Sequence, residues 1–194
     1  MTNKYRAGDS QVDKLIVLGL GLLGASICAA AKKLGLANAI IGISRRQSTI
    51  EIAHAKEIID ESSDSLATLA GNFGEDDLLV LAVPTLAMKS VLSECQEHVP
   101  PYVTITDVAS VKTKIIEFAE QVYGDIPKNF VPGHPIAGSE KSGINAANPD
   151  LFKNHKPIGL LYSVVRVYDE IGETEKAINL IKDFLDDNPN NTEL

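Results

Sequence analysis

Lys14-Leu15-Ile16-Val17-Leu18-Gly19-Leu20-Gly21-Leu22-Leu23-Gly24-Ala25-Ser26 is the stretch that decides the fold. An aliphatic run reads as a buried strand, and the glycines that close it stand in the order G-x-G-x-x-G. An Ala-rich helix-forming segment, Leu22 to Leu34, follows directly, with Gly35 placed to cap it. Strand, glycine turn and helix together form a dinucleotide cradle. Gly19 permits the tight turn, Gly21 lets a pyrophosphate approach the backbone, and Gly24 allows close packing of the helix. The free N–H groups of the helix N-terminus then face the phosphates. The expected cofactor-binding residues are therefore Gly19, Leu20, Gly21, Leu22, Leu23 and Gly24.

Working outward, short aliphatic runs alternate with segments of helical period, which predicts βαβ units and an α/β fold of Rossmann type. The expected sheet is mostly parallel and flanked by helices. Strands are expected at Lys14 to Gly19, Ala39 to Ile43, Leu78 to Val83, Tyr102 to Thr106 and Asn129 to Pro132. Pro84 marks a strand-to-helix turn before Thr85 to Glu97, and Val83 and Pro84 join the expected cofactor-binding set. Val111 to Val122 carries one broad apolar face, with Ser110 where an N-cap would sit. The Rossmann domain is expected over residues 1–157 and a short strand and helix tail over 158–194. A helix from about Thr174 to Leu185 ends at Asn188-Pro189, and residues 160 to 192 also resemble a single tetratricopeptide repeat.

Composition bounds the function. The chain has 194 residues, 44% of them hydrophobic, and a net charge of -8 without any block of like charge. That balance argues against general affinity for nucleic acid or anionic membrane. Cys28 and Cys95 lack metal-ligand spacing and read as buried or half-buried thiols, so no metal is expected. The polar start and the glycine-broken first apolar run give neither a signal peptide nor a membrane span, and a cytoplasmic or equivalent stromal location is expected.

Cofactor choice turns on the end of the second strand, where a carboxylate would hold the ribose 2′-hydroxyl of NAD. Ser44 stands there, 20 residues past Gly24, followed by Arg45 and Arg46. A hydroxyl and two guanidinium groups suit a 2′-phosphate, so NADP is expected. Two more polar loops follow buried strands: Thr106 to Lys112, and Gly133 to Gly143, which gathers His134, Glu140 and Lys141. A loop histidine near the nicotinamide would accept a proton from a substrate hydroxyl as hydride leaves. From spacing alone, His134 fits a loop-bracing role equally well, Ser110 fits a plain helix cap, and Glu140 a solvated charge.

GLGLLGAS (Gly19 to Ser26), LAVP (Leu81 to Pro84), TDVASVK (Thr106 to Lys112) and GHPIAGSEKSG (Gly133 to Gly143), in this order, resemble the prephenate/arogenate dehydrogenase family. Ser44 to Thr49 is similar to the NADP-dependent, arogenate-preferring members. The resemblance implies oxidative decarboxylation of arogenate or prephenate in tyrosine biosynthesis. His134 would hold and deprotonate the 4-hydroxyl, Ser110 would orient that hydroxyl or His134, and Glu140 would gate the substrate side chain. It also implies a helical dimerisation domain that supplies an arginine to the substrate carboxylate. The segment after His155 departs from the family pattern, leaving Arg166 as the candidate for that role, and the homodimer is implied through that helical domain. Two other readings compete: a dinucleotide-binding or interaction module without turnover, and a 3-hydroxy-acid dehydrogenase, against which the GHPIAG stretch argues.

Overall fold

A computed structural model of the chain describes residues 12–133, 135 and 140–152. His134, the tail over 158–194, Arg166 and the repeat-like segment lie outside the described residues.

The described elements run β1 (Val12–Leu18), α1 (Leu22–Leu34), β2 (Ala37–Ile43), α2 (Gln47–Ala55), β3 (Glu61–Ser63), α3 (Leu66–Leu69), β4 (Leu78–Leu81), α4 (Thr85–His98), β5 (Thr104–Asp107), α5 (Lys112–Tyr123) and β6 (Phe130–Val131). A 3-10 turn at Ile144–Ala146 follows. The strands form one sheet in the order β3-β2-β1-β4-β5-β6, and every pairing among them is parallel. The chain therefore winds outward twice from β1, and the reversal lies between β1 and β4. In open α/β sheets the crevice at such a reversal is where ligands bind.

Side chains alternate across the sheet with the two-residue period of a strand. Leu15 and Val17 of β1, Ile40 of β2 and Val80 of β4 share a core with Ala25, Cys28 and Ala29 of α1 and Ile50 and Ala53 of α2. Ile16, Ile41, Leu79, Leu81 and Ile105 point the other way, onto Leu66 of α3, Met88, Leu92 and Cys95 of α4, and Ile115 and Ala119 of α5. Covering both faces explains why these strands read as nearly continuous apolar runs.

Helix α1 spans the expected residues, and Gly35 ends it at φ 63°, ψ 44° with its N–H donated to the Ala31 carbonyl. The left-handed conformation there costs a residue without Cβ little. Two expectations at β5 are corrected. The strand begins at Thr104 because the Val103 N–H donates to the Pro100 carbonyl (3.1 Å), a turn that takes Tyr102 out of the ladder. It also runs through Asp107, which the sequence placed in the following loop. Helix α5 starts at Lys112 with Val111 as N-cap, so Ser110 lies outside the helix, exposed, and does not cap it. The polar edge strand Glu61-Ser62-Ser63 has no apolar alternation to announce it.

Cys28 and Cys95 are both fully buried, and desolvation pushes each thiol up to about 12. A neutral-pH thiol reagent should therefore label the native chain about 1,000-fold more slowly than free cysteine. Both thiols should react at once in denaturant, and rapid labelling of the native chain would contradict the packing described.

Candidate functional site

The glycine turn is built by close backbone approach. Gly19 adopts φ +101°, a Cβ there would lie 2.4 Å from the Ala82 carbonyl oxygen, and its N–H donates to the Ile43 carbonyl at 3.0 Å. A Cβ on Gly24 would lie 1.9 Å from the Gly19 carbonyl oxygen, so only glycine lets α1 start this close to the turn. Gly21 differs: it is the exposed N-cap of α1, and a Cβ there would meet nothing within 4 Å. The first turn of α1 has neither a capping side chain nor an acidic residue. Its N–H groups thus stay available to an anion, and the open space over Gly21 fits a pyrophosphate resting on the backbone.

The other residues of the expected cofactor set gather around this turn to different degrees. Leu20 is a core residue, only 4% exposed, with its Cδ1 close against Gly42 of β2. Leu22 and Leu23 are half-buried in the first turn of α1. Val83 reaches Gly19 from beyond β4, its Cγ1 being 3.2 Å from where a Gly19 Cβ would lie, and Pro84 is the exposed N-cap of α4. At the end of β2, Ser44 Oγ accepts the Arg46 N–H (3.2 Å), while the Ser44 N–H donates to the Ser63 carbonyl (3.1 Å). Arg45 and Arg46 are exposed at the start of α2, whose first turn lacks acidic residues. Because β2 neighbours β1, these cations stand one strand away from the glycine turn.

The loops after β5 and β6 meet through one side chain that the sequence reading passed over. Asp107 is 1% exposed, and its Oδ1 accepts the Ala109 N–H (2.8 Å) and the Lys112 ammonium. Its Oδ2 accepts the Gly133 N–H at 3.2 Å. A Cβ on Gly133 would stand 2.5 Å from the Asp107 carbonyl oxygen, so the two loops abut at backbone level. Burial pushes the Lys112 ammonium below its ordinary value, and the Asp107 carboxylate beside it opposes that shift. A signal was present in the sequence: an acidic residue at the end of an apolar strand, with a lysine five residues on.

Beyond His134 the chain has Pro135 half-buried and Glu140 exposed. It is then pinned again: Ile144 is buried in the core under α1 and α2, and the fully buried Ser26 Oγ of α1 accepts the Asn148 N–H at 3.0 Å. The described flanks on either side of His134 are thus fastened, Gly133 to β5 and Asn148 to the helix of the glycine turn. Ser26 closes the GLGLLGAS run, but nothing in its spacing announced the partner at residue 148.

Gly19, Ser44, Val83, Asp107 and Gly133 each sit at or just past the carboxyl end of a strand, along the same edge of the sheet. Such an edge combines an open glycine turn, two exposed arginines and a pair of linked polar loops. Residues 27–187 match the family model described as prephenate dehydrogenase, nucleotide-binding domain. The prephenate dehydrogenase of Lactococcus lactis subsp. cremoris is 37% identical over 142 residues, which cover 73% of this chain and 39% of that protein. Among solved structures, Synechocystis arogenate dehydrogenase is 36% identical with a TM-score of 0.64, covering 74% of this chain and 48% of that one. The A. aeolicus prephenate dehydrogenase in complex with hydroxyphenyl propionate and NAD+ is 29% identical with a TM-score of 0.67, covering 75% and 49%. The chain therefore spans about two-fifths to one-half the length of these relatives. By fold, motif order and extent of match, it belongs to the prephenate dehydrogenase family, whose nucleotide-binding domain it carries.

Proposed function

We propose that this chain carries out NADP-dependent oxidative decarboxylation of a cyclohexadienyl acid, arogenate or prephenate, in the cytoplasm. The observation that carries this reading is the joining, at the ligand edge of the sheet, of the TDVASVK loop to the GHPIAGSEKSG loop beside an open glycine cradle. When bound, the dinucleotide supplies the hydride acceptor for the ring carbon that bears the 4-hydroxyl. His134 takes the hydroxyl proton in the same step, Ser110 orients that hydroxyl, and Glu140 guards the substrate side chain. Loss of carbon dioxide leaves an aromatic ring, so the driving force resides in the substrate and the protein chiefly positions it.

The proposed preference for NADP rests on the absence of a carboxylate at Ser44 and on Arg45 and Arg46 at the exposed start of α2. Arg45→Ala/Arg46→Ala should weaken NADP binding by about 10- to 100-fold, as expected for losing charge-assisted bonds to a phosphate, and should leave NAD binding nearly unchanged. Calorimetric titration with both dinucleotides checks this. Equal losses for the two would show that these arginines do not hold a 2′-phosphate. The catalytic reading is tested by following NADPH absorbance after the chain is mixed with NADP and either ring acid: reduction with one of them supports it, and tight NADP binding with no reduction by either contradicts it.

A further inference from the structure

We propose that Asp107 is the positioning residue that sets the Ser110 loop and the His134 loop in register with one another. This rests on the function proposed above. Strand β6 has only two residues, and its ladder with β5 consists of Ile105 against Phe130 and Thr106 against Val131. Two rungs hold a strand weakly. Past them, Asp107 Oδ2 takes over with its bond to the Gly133 N–H, on the residue immediately before His134. Its other oxygen accepts the Ala109 N–H, on the residue immediately before Ser110. A single buried carboxylate therefore fixes the backbone next to each of two proposed catalytic side chains. Lys112 supplies the compensating charge that a carboxylate buried to this degree requires.

The molecule contains its own control. Asp77, also 1% exposed, stands at the opposite end of the sheet, just before β4, where it accepts the Lys14 N–H (3.1 Å), the Lys14 ammonium (3.1 Å) and the Gly74 N–H (2.8 Å). Chemically it is the same kind of anchor, one lysine and backbone amides around a buried carboxylate, but it lies at the strand ends away from the ligand edge. If Asp107 served only the fold, its loss and the loss of Asp77 would have the same consequences.

Asp107→Asn and Asp77→Asn are near-isosteric and remove the charge in each case. In the full chain, both should lower Tm. Only Asp107→Asn should lower kcat, by about 10²-fold, the order expected when a catalytic group is displaced by roughly an ångström, with NADP affinity kept within about threefold. In amide hydrogen exchange, Asp107→Asn should speed exchange at Ala109 and Gly133, while Asp77→Asn should leave those amides protected. The proposal is overturned if Asp107→Asn retains kcat, or if the two variants lose kcat in parallel with Tm. A wild-type chain that turns over neither ring acid would refute the function proposed above. The exchange experiment would still decide here: unchanged exchange at Ala109 and Gly133 in Asp107→Asn overturns the positioning role, and selective loss of protection supports it.

Discussion

Gly21→Ala should leave the fold intact and weaken NADP binding by at least about 100-fold, whereas Gly24→Ala should damage both fold and binding. The difference follows from what an added methyl group meets. At Gly24 it would stand 1.9 Å from the Gly19 carbonyl oxygen, a backbone atom that cannot swing aside. Helix α1 would have to retreat from the turn, and forced overpacking of this kind costs about 1–3 kcal/mol or more. At Gly21 the methyl group meets nothing within 4 Å, so the free chain has no reason to object. The same space is where the pyrophosphate is proposed to lie, and filling it removes the close backbone approach that binding needs. Thermal melts paired with calorimetry separate the cases. A Gly21→Ala chain that binds NADP normally would show that the phosphates lie elsewhere.

His134→Asn should lower turnover by about 10³-fold, within the range general-base catalysis contributes, with little change in NADP affinity. Asparagine keeps similar bulk and a hydrogen-bonding end but cannot take up a proton near neutrality. Among the described residues, the loop is attached through Gly133 on Asp107 and Asn148 on Ser26, and Asn at position 134 changes neither bond's partners. Loss of the base should therefore appear in kcat rather than in Tm. Stopped-flow kinetics and a melt on the same preparation check both halves, and a parallel fall in Tm and turnover would point to a loop-bracing histidine instead.

The parts of the fold that were legible in the sequence are those where local chemistry and tertiary role agree. The aliphatic run into Gly19 and the Ala-rich helix capped by Gly35 appear where the pattern placed them, because both core burial and backbone conformation demand those residues. β3 was not legible, since a polar edge strand is held by its ladder with β2 rather than by burial. Ser110 illustrates the ambiguity of small polar residues: the pattern allowed an N-cap, and the helix instead starts one residue later. In the candidate site, the glycine cradle could be read directly because its three glycines form a short local pattern at a strand-to-helix turn. Asp107 left a local signal in Lys112 five residues on, but its bond to Gly133 and that of Ser26 to Asn148 span 26 and 122 residues and left none. Long-range hydrogen bonds by single side chains leave no periodicity behind.

In the proposed reaction, hydride leaves the ring carbon bearing the hydroxyl as the ring loses carbon dioxide. The most direct measurement uses arogenate and prephenate carrying deuterium at that carbon, mixed with the full chain and NADP, with the reduced dinucleotide and the released carbon dioxide both quantified. Deuterium should appear in NADPH, with one carbon dioxide per NADPH and an aromatic product from at least one of the two acids. NADP bound with neither deuterium transfer nor carbon dioxide release would contradict it, and would leave a nucleotide-binding domain without this chemistry.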